Sequence, residues 1–229
     1  MRYNFLILCV LFAMPPLFIY GLRADLRRPM AVTALFALPF GLTEAWFYPE
    51  YWRPHFLFDL ADRIGFGIED LLFVAALGAF TATVYPFVAR RRFVALDTLA
   101  APLRLRRPLV VMASALTIVL VLRALGIPAI YGACAAMIGV TAVMLALRRD
   151  LIRPCLVGGC WTLLVYVALC QLFQWLLPGV FELAWNTKLL SNRYILGVPL
   201  EELLYGFCAG FSGAAVYPFF CNQRLEPLS

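Results

Sequence analysis

Charge is scarce in this chain. Only 14% of its 229 residues are Asp, Glu, Lys or Arg and 64% are hydrophobic, far from the soluble balance of about 25% and roughly 45–50%. An ordinary water-soluble globule is excluded. Histidine occurs once, at His55, so no set of histidines exists for a metal site and no metal is expected. The seven cysteines (Cys9, Cys134, Cys155, Cys160, Cys170, Cys208, Cys221) form no Cys-x-x-Cys pair, and most fall inside apolar runs, where they read as small fillers. The dinucleotide and P-loop glycine patterns are also missing, so no nucleotide cofactor is predicted.

What remains is hydrophobic length, with a mean hydropathy of +0.87. A helix needs about 20 apolar residues to cross the hydrocarbon layer, and the runs lack the alternation of a barrel strand. Seven runs stand out, at about Asn4–Leu22, Met30–Tyr48, Ile68–Ala89, Pro108–Gly126, Pro128–Leu147, Cys155–Leu177 and Pro199–Cys221. The expected fold is all-α, a polytopic integral membrane protein with seven transmembrane helices. The first run is followed by "RADLRR", with no small-residue cleavage site, and is read as a mature span.

The formal charge of +6 could indicate a nucleic-acid partner, so the placement of the bases decides the matter. With loops assigned alternately, one side carries thirteen arginines: Arg23, Arg27, Arg28, Arg90, Arg91, Arg92, Arg104, Arg106, Arg107, Arg148, Arg149, Arg153 and Arg224. The other side has five bases, Arg2, Arg53, Arg63, Lys188 and Arg193, with Arg123 near the end of the fourth run. This positive-inside bias predicts a cell (inner) membrane protein with its N-terminus outside and its C-terminus cytoplasmic. The partner it implies is the lipid bilayer, not nucleic acid.

The chain also matches itself. At an offset of 132, "GFGIEDLLFVAALGAFTATVYPF" (Gly65 to Phe87) aligns with "GVPLEELLYGFCAGFSGAAVYPF" (Gly197 to Phe219), with ten of 23 positions identical. The identities include Glu69/Glu201, Gly78/Gly210 and all of "VYPF". The third and seventh runs then point the same way, which predicts a parallel 3+1+3 repeat in one membrane domain. Repeat 1 covers about residues 1–89, the linking helix about 108–126 and repeat 2 about 128–221. Parallel repeats commonly enclose a site at their interface.

Glu69–Asp70 and Glu201–Glu202 open the two matched helices, with Glu44 in "TEAWFYPEYW" and Glu182 in "FELAWN" near the same level. Capping accounts for one acid in each pair, since a first-turn carboxylate meets the positive end of the helix dipole. A second adjacent acid costs about 2.5–3.5 kcal/mol to insert and should face the bundle interior. Neighbouring helix positions diverge by about 100°, so the expected couple runs across the repeat, Glu69 with Glu201. Two acids in one dry cavity repel and favour a shared proton, the arrangement general acid catalysis needs. Trp46 and Trp185, beside Glu44 and Glu182, are candidates for lining that cavity. The many other aromatics at this end also fit an interfacial belt, and Gln171 and Gln174 fit interhelical hydrogen bonding.

At these residues the sequence resembles the non-flavin lycopene β-cyclases, the bacterial, archaeal and fungal-type family in which Pro-x-Glu-Glu or Pro-x-Glu-Asp opens a transmembrane helix in each of two repeats. "VPLEELLY" fits through Pro199, Glu201 and Glu202; "FGIEDLLF" departs by having Gly67 in place of proline, which marks a divergent branch. The resemblance implies an intramolecular lyase or isomerase of carotenoid biosynthesis, acting without a cofactor on a membrane-dissolved carotenoid or isoprenoid. A carboxylic acid would protonate the terminal double bond, the internal alkene would attack the carbocation, and a base would remove a proton to complete a β-ionone ring. Glu201 and Glu69 would serve as acid and base, tuned by Glu202 and Asp70, with Glu44, Trp46, Glu182 and Trp185 contacting substrate. Two other classes compete. One is a non-catalytic protein that binds an isoprenoid or other lipid. The other is a glutamate-type intramembrane protease, disfavoured because Gly206 stands where that family's arginine would follow the acids.

Overall fold

A computed structural model describes residues 3–96, 106–186 and 191–228; Arg2, Arg104 and Lys188, counted above for charge, lie outside them. The described chain is helical with two small two-stranded sheets. In order it forms α1 (Asn4–Leu22), α2 (Arg27–Gly41), α3 (Leu60–Ile64), α4 (Ile68–Val88), β1 (Arg91–Ala95), α5 (Arg106–Ala124), α6 (Ala129–Leu147), α7 (Ile152–Leu176), α8 (Val180–Ala184), β2 (Tyr194–Ile195), β3 (Val198–Pro199), α9 (Leu200–Phe220) and β4 (Gln223–Pro227). Six of these, α1, α4, α5, α6, α7 and α9, are long and apolar enough to cross a membrane. Large apolar side chains such as Leu17, Leu35, Val121, Val143 and Leu164 are exposed around them. A surface of that kind is stable only against lipid, and the protein is a multi-pass membrane protein.

The expected second span, Met30–Tyr48, is built differently. Its α-helix has 15 residues and contains Pro39, which has no N–H to donate to the preceding turn. The chain then tightens into a 3₁₀ helix, Leu42–Trp46. This tighter winding turns Glu44 inward.

Helix α4 packs on α1 and α2, α9 packs on α6 and α7, and α4 and α9 meet each other; α5 leans on α6. The closest crossings fall at glycines. A Cβ on Gly78 would stand 2.9 Å from both Ala37 Cβ and Thr33 O, and one on Gly210 would overlap Thr162 and the Gly158 carbonyl. Gly78 and Gly210 are 132 residues apart, while Thr33/Gly158 and Ala37/Thr162 are each 125 apart.

The arginine-rich end is closed by backbone. Strands β1 and β4 pair antiparallel about Phe93↔Leu225, two residues that are themselves 132 apart. Arg23 donates twice to Asp25, at 2.8 and 2.7 Å, and to Arg91 O at 2.6 Å. Arg148 repeats this with Asp150 and with Gln223 O at 2.8 Å. The segments responsible, "LRADLRRP" from Leu22 and "LRRDLIRP" from Leu147, share six of eight residues at an offset of 125.

The Gly210 crossing leaves no room for a side chain, whereas Gly21 has nothing within 4 Å. Gly210→Val should therefore lower stability by about 1–3 kcal/mol through overpacking, and Gly21→Ala should leave it unchanged or slightly raised. Thermal unfolding of the detergent-solubilised protein would measure both; equal melting temperatures would refute the tight-crossing reading.

Candidate functional site

Each acidic pair sits in the first turn of its helix, α4 after Gly67 and α9 after Pro199. Pro199 has the fixed φ suited to a helix start, and the β2–β3 hairpin delivers it. That hairpin turns through Leu196 and Gly197, both with positive φ, as a two-residue turn of this kind requires. Gln171 Nε2 holds the turn by donating to Leu196 O at 2.8 Å, a bond from helix to hairpin in place of the expected interhelical one.

All four acids of the pairs are buried, and the helix splits each pair between two environments. Glu69 Oε1 accepts the Leu57 N–H at 2.6 Å. Glu201 Oε1 accepts the Tyr131 hydroxyl at 2.6 Å and the Ser191 N–H at 3.0 Å. Their second oxygens, Glu69 Oε2 and Glu201 Oε2, are buried without a partner among the described residues. Asp70 and Glu202 instead line one cavity of about 90 Å³, together with Glu44. The expected couple of Glu69 with Glu201 is thus replaced by Asp70 with Glu202. The loops carrying Leu57 and Ser191 fold back over the helix starts and take up the first acid of each pair, leaving the second, about 100° around the helix, to face inward.

Glu202 accepts three side-chain donors. Tyr51 Oη and Trp185 Nε1 (2.8 Å) reach Oε1, and Tyr166 Oη reaches Oε2 at 2.5 Å. This donor set suits a carboxylate. Burial, and then the adjacent Glu202 charge, push the Tyr51 phenol well above the ordinary tyrosine range, so it stays a donor. Asp70 Oδ2 accepts the Gly67 N–H at 2.7 Å, and Glu44 Oε1 accepts Trp52 Nε1 at 2.5 Å. Glu44 and Asp70 line the same cavity; a hydrogen bond between two such carboxyl groups requires a proton on one of them. Among the described residues none of these acids is in a salt bridge. Arg63 and Arg193, which precede the acidic pairs, do not neutralise them.

Backbone pairing brings the donors in. Trp52 and Trp185 form an antiparallel bridge, reinforced by Arg53 N–H to Ala184 O at 2.6 Å and Asn186 N–H to Tyr51 O at 2.8 Å. The two indoles stack at a tilt, 5.0 Å apart. Phe5, Phe40, Phe47 and Phe73 complete an aromatic wall around the carboxyl groups.

The acidic cavity adjoins an apolar groove of about 200 Å³ between α2, α4, α5, α6 and α9; Phe40, Thr43, Phe47, Val74 and Tyr205 line both. From Thr33 to Trp46 the groove runs roughly 20 Å. Arg123 Nη1 donates to Trp46 O at 2.6 Å and fixes its upper edge. The corresponding space beside α1 and α7 is nearly closed, a void of about 10 Å³ lined by Phe12, Phe80, Thr162, Tyr166 and others.

Of the eight residues singled out in the sequence, Asp70, Glu202, Glu44 and Trp185 meet at the cavity and Trp46 lines the groove. Glu182 does not join them. It is exposed on the short helix α8, which carries no tightened turn like that at Glu44. Tyr51 and Trp52 had looked like interfacial belt residues and are buried donors instead, whereas Trp175, 76% exposed, fits a belt. Tyr166 and Tyr131 escaped notice; the available signal was a hydroxyl placed inside an apolar run.

Apolar spans enclosing a cluster of hydrogen-bonded carboxyl groups define a multi-pass membrane protein with an interior acid site. Residues 128–220 match the family model for lycopene cyclase, which supports a place in the lycopene cyclase domain family. No curated protein and no solved structure matches the chain.

Glu202→Leu should strand three buried donors at about 1–3 kcal/mol each and lower the melting temperature sharply, while Tyr51→Phe, which removes one donor, should cost far less. A Leu variant as stable as the parent would show that Glu202 does not organise the site.

Proposed function

We propose that this protein is a lycopene cyclase-like membrane enzyme that closes one end of a linear carotenoid into a β-ionone ring. The observation that carries the reading is the meeting of Glu44, Asp70 and Glu202 in an aromatic-walled cavity at the head of an apolar groove. A linear polyene is apolar, narrow and dissolved in the bilayer, and the groove suits it on all three counts. The Glu44–Asp70 pair supplies a proton to the terminal alkene, leaving a tertiary carbocation. The internal double bond attacks it, forming the ring C–C bond, and Glu202 removes a ring proton. One proton enters and one leaves, so the step has no net redox change. The aromatic faces stabilise the cation and exclude water. Glu69 and Glu201 act on the loops that cover the cavity, a reassignment from the acid and base roles that the family resemblance first implied.

The same reading takes the chain as a parallel duplication, with α1, α2 and α4 equivalent to α6, α7 and α9 and α5 crossing between. The paired offsets of 132 and 125 at the glycine crossings, the arginine clasps and the two strands support it. Helix α2 and its 3₁₀ extension together reach roughly 30 Å, enough for a seventh span. The arginine-rich end then faces the cytoplasm and the carboxylate end faces outward.

Co-expression in a lycopene-accumulating bacterium tests the reading. Cyclised carotenoid should accumulate, and Asp70→Asn or Glu202→Gln should reduce it about 100-fold or more. Ser212→Phe should also suppress the product by closing the groove, whereas Glu182→Gln should not. Unchanged lycopene in cells with the parent protein verified in the membrane would refute cyclase activity and leave the lipid-binding alternative.

A further inference from the structure

At the end of the bundle away from the acids, a cavity of about 370 Å³ opens between the α6–α7 turn and the strand pair β1–β4. Arg91, Arg148, Arg153 and Arg224 line it, with Asp150 as the single lining carboxylate. Arg148 is held by Asp150 and Gln223 O, and Arg224 pairs with Glu226 at 2.6 Å. Arg91 and Arg153 have no carboxylate partner among the described residues. A positive rim is common to membrane proteins; four guanidinium groups gathered on one cavity, two of them without a carboxylate partner among the described residues, are a more specific arrangement.

Tyr85 adds a neutral donor to the lining. It is only 5% exposed and lines the cavity, and its hydroxyl has no hydrogen-bond partner among the described residues. A phenol that lines the cavity beside guanidinium groups can donate to an acceptor held there. Its counterpart 132 residues on, Tyr217, packs edge-on against Phe93 at 4.8 Å instead. The cluster is not simply repeated either, since Gln223 stands at the position corresponding to Arg91.

We propose that this cavity binds a phosphate group, whose oxygens accept from Arg91, Arg148, Arg153 and the Tyr85 hydroxyl. Planar guanidinium forks match phosphate geometry, and the lining carries a net excess of three positive charges. The phosphate can come from an anionic phospholipid headgroup at the membrane surface or from inorganic phosphate. The proposal is independent of the cyclase reading.

The full-length protein is purified, and lipid retention is read by native mass spectrometry after reconstitution in phosphatidylcholine nanodiscs with and without phosphatidylglycerol. Thermal stability is read in parallel with added inorganic phosphate. Preferential retention of phosphatidylglycerol identifies a headgroup, and stabilisation by inorganic phosphate identifies a free anion; either supports the site. Arg153→Gln should weaken the response about tenfold and Tyr85→Phe several-fold, while Arg63→Gln, at the opposite end, should leave it intact. Equal retention of both lipids with no phosphate response overturns the proposal, as does a full response in Tyr85→Phe and Arg153→Gln variants that melt like the parent.

Discussion

A carboxylate buried without a cation must be held by hydrogen-bond donors, and Glu202 draws its three from separate parts of the chain. Tyr51 comes from the loop after the second helix, Tyr166 from the middle of α7 and Trp185 from the segment beyond α8. For all three to arrive, the loops at 51–53 and 184–186 must pair as they do and α7 must approach α9 closely. Gly206 permits that approach, since a Cβ there would stand 2.8 Å from the Tyr166 ring. The acid therefore fixes the upper end of the bundle. Asp70 and Glu44 complete the cavity only because Glu202 has assembled its walls.

Much of this frame was legible in the sequence, and the failures have physical causes. Hydrophobic length located the helices to within a few residues, and α1 falls on its expected bounds. The second run misled because Pro39 and the 3₁₀ turn change the winding without changing the hydrophobicity. Adjacent acids at a helix start could be read as facing two ways. Which of the two faces inward depends on where Leu57 N–H and Ser191 N–H come to lie, and loop backbone leaves no mark in composition. Glu44 and Glu182 look alike in sequence and differ only in the local winding beneath them. The Arg-x-Asp-Leu-x-Arg-Pro segments were present throughout, but at an offset of 125. An offset of 132 passes over them because the stretch from Pro154 to Glu201 is seven residues longer than that from Pro29 to Glu69.

The asymmetry between the halves follows from side-chain volume at corresponding positions. Met137, Ser212 and Gly41 border the open groove and the acidic cavity; at the offsets of 125 and 132 their counterparts are Phe12, Phe80 and Tyr166. Two phenylalanines and a tyrosine fill the space that a methionine, a serine and a glycine leave free. The second acid of each pair, Asp70 and Glu202, thereby shares the one open chamber. Tyr166 serves twice, closing the redundant side and donating to Glu202.

The two ends of the bundle meet different physical demands. Where the carboxyl groups sit, loops and side chains from distant segments cover the helix starts, and polar groups are satisfied one by one. At the arginine end, main-chain pairing between β1 and β4 ties the halves together, with Arg23 and Arg148 each clasping a strand carbonyl. A rigid clasp at one end lets α5, which buries only Pro108, Ala115 and Val119, remain a loosely packed wall of the groove without loosening α4 against α9. The fold separates the end where main-chain pairing holds α4 and α9 in register from the end where the carboxyl groups are buried beside the groove.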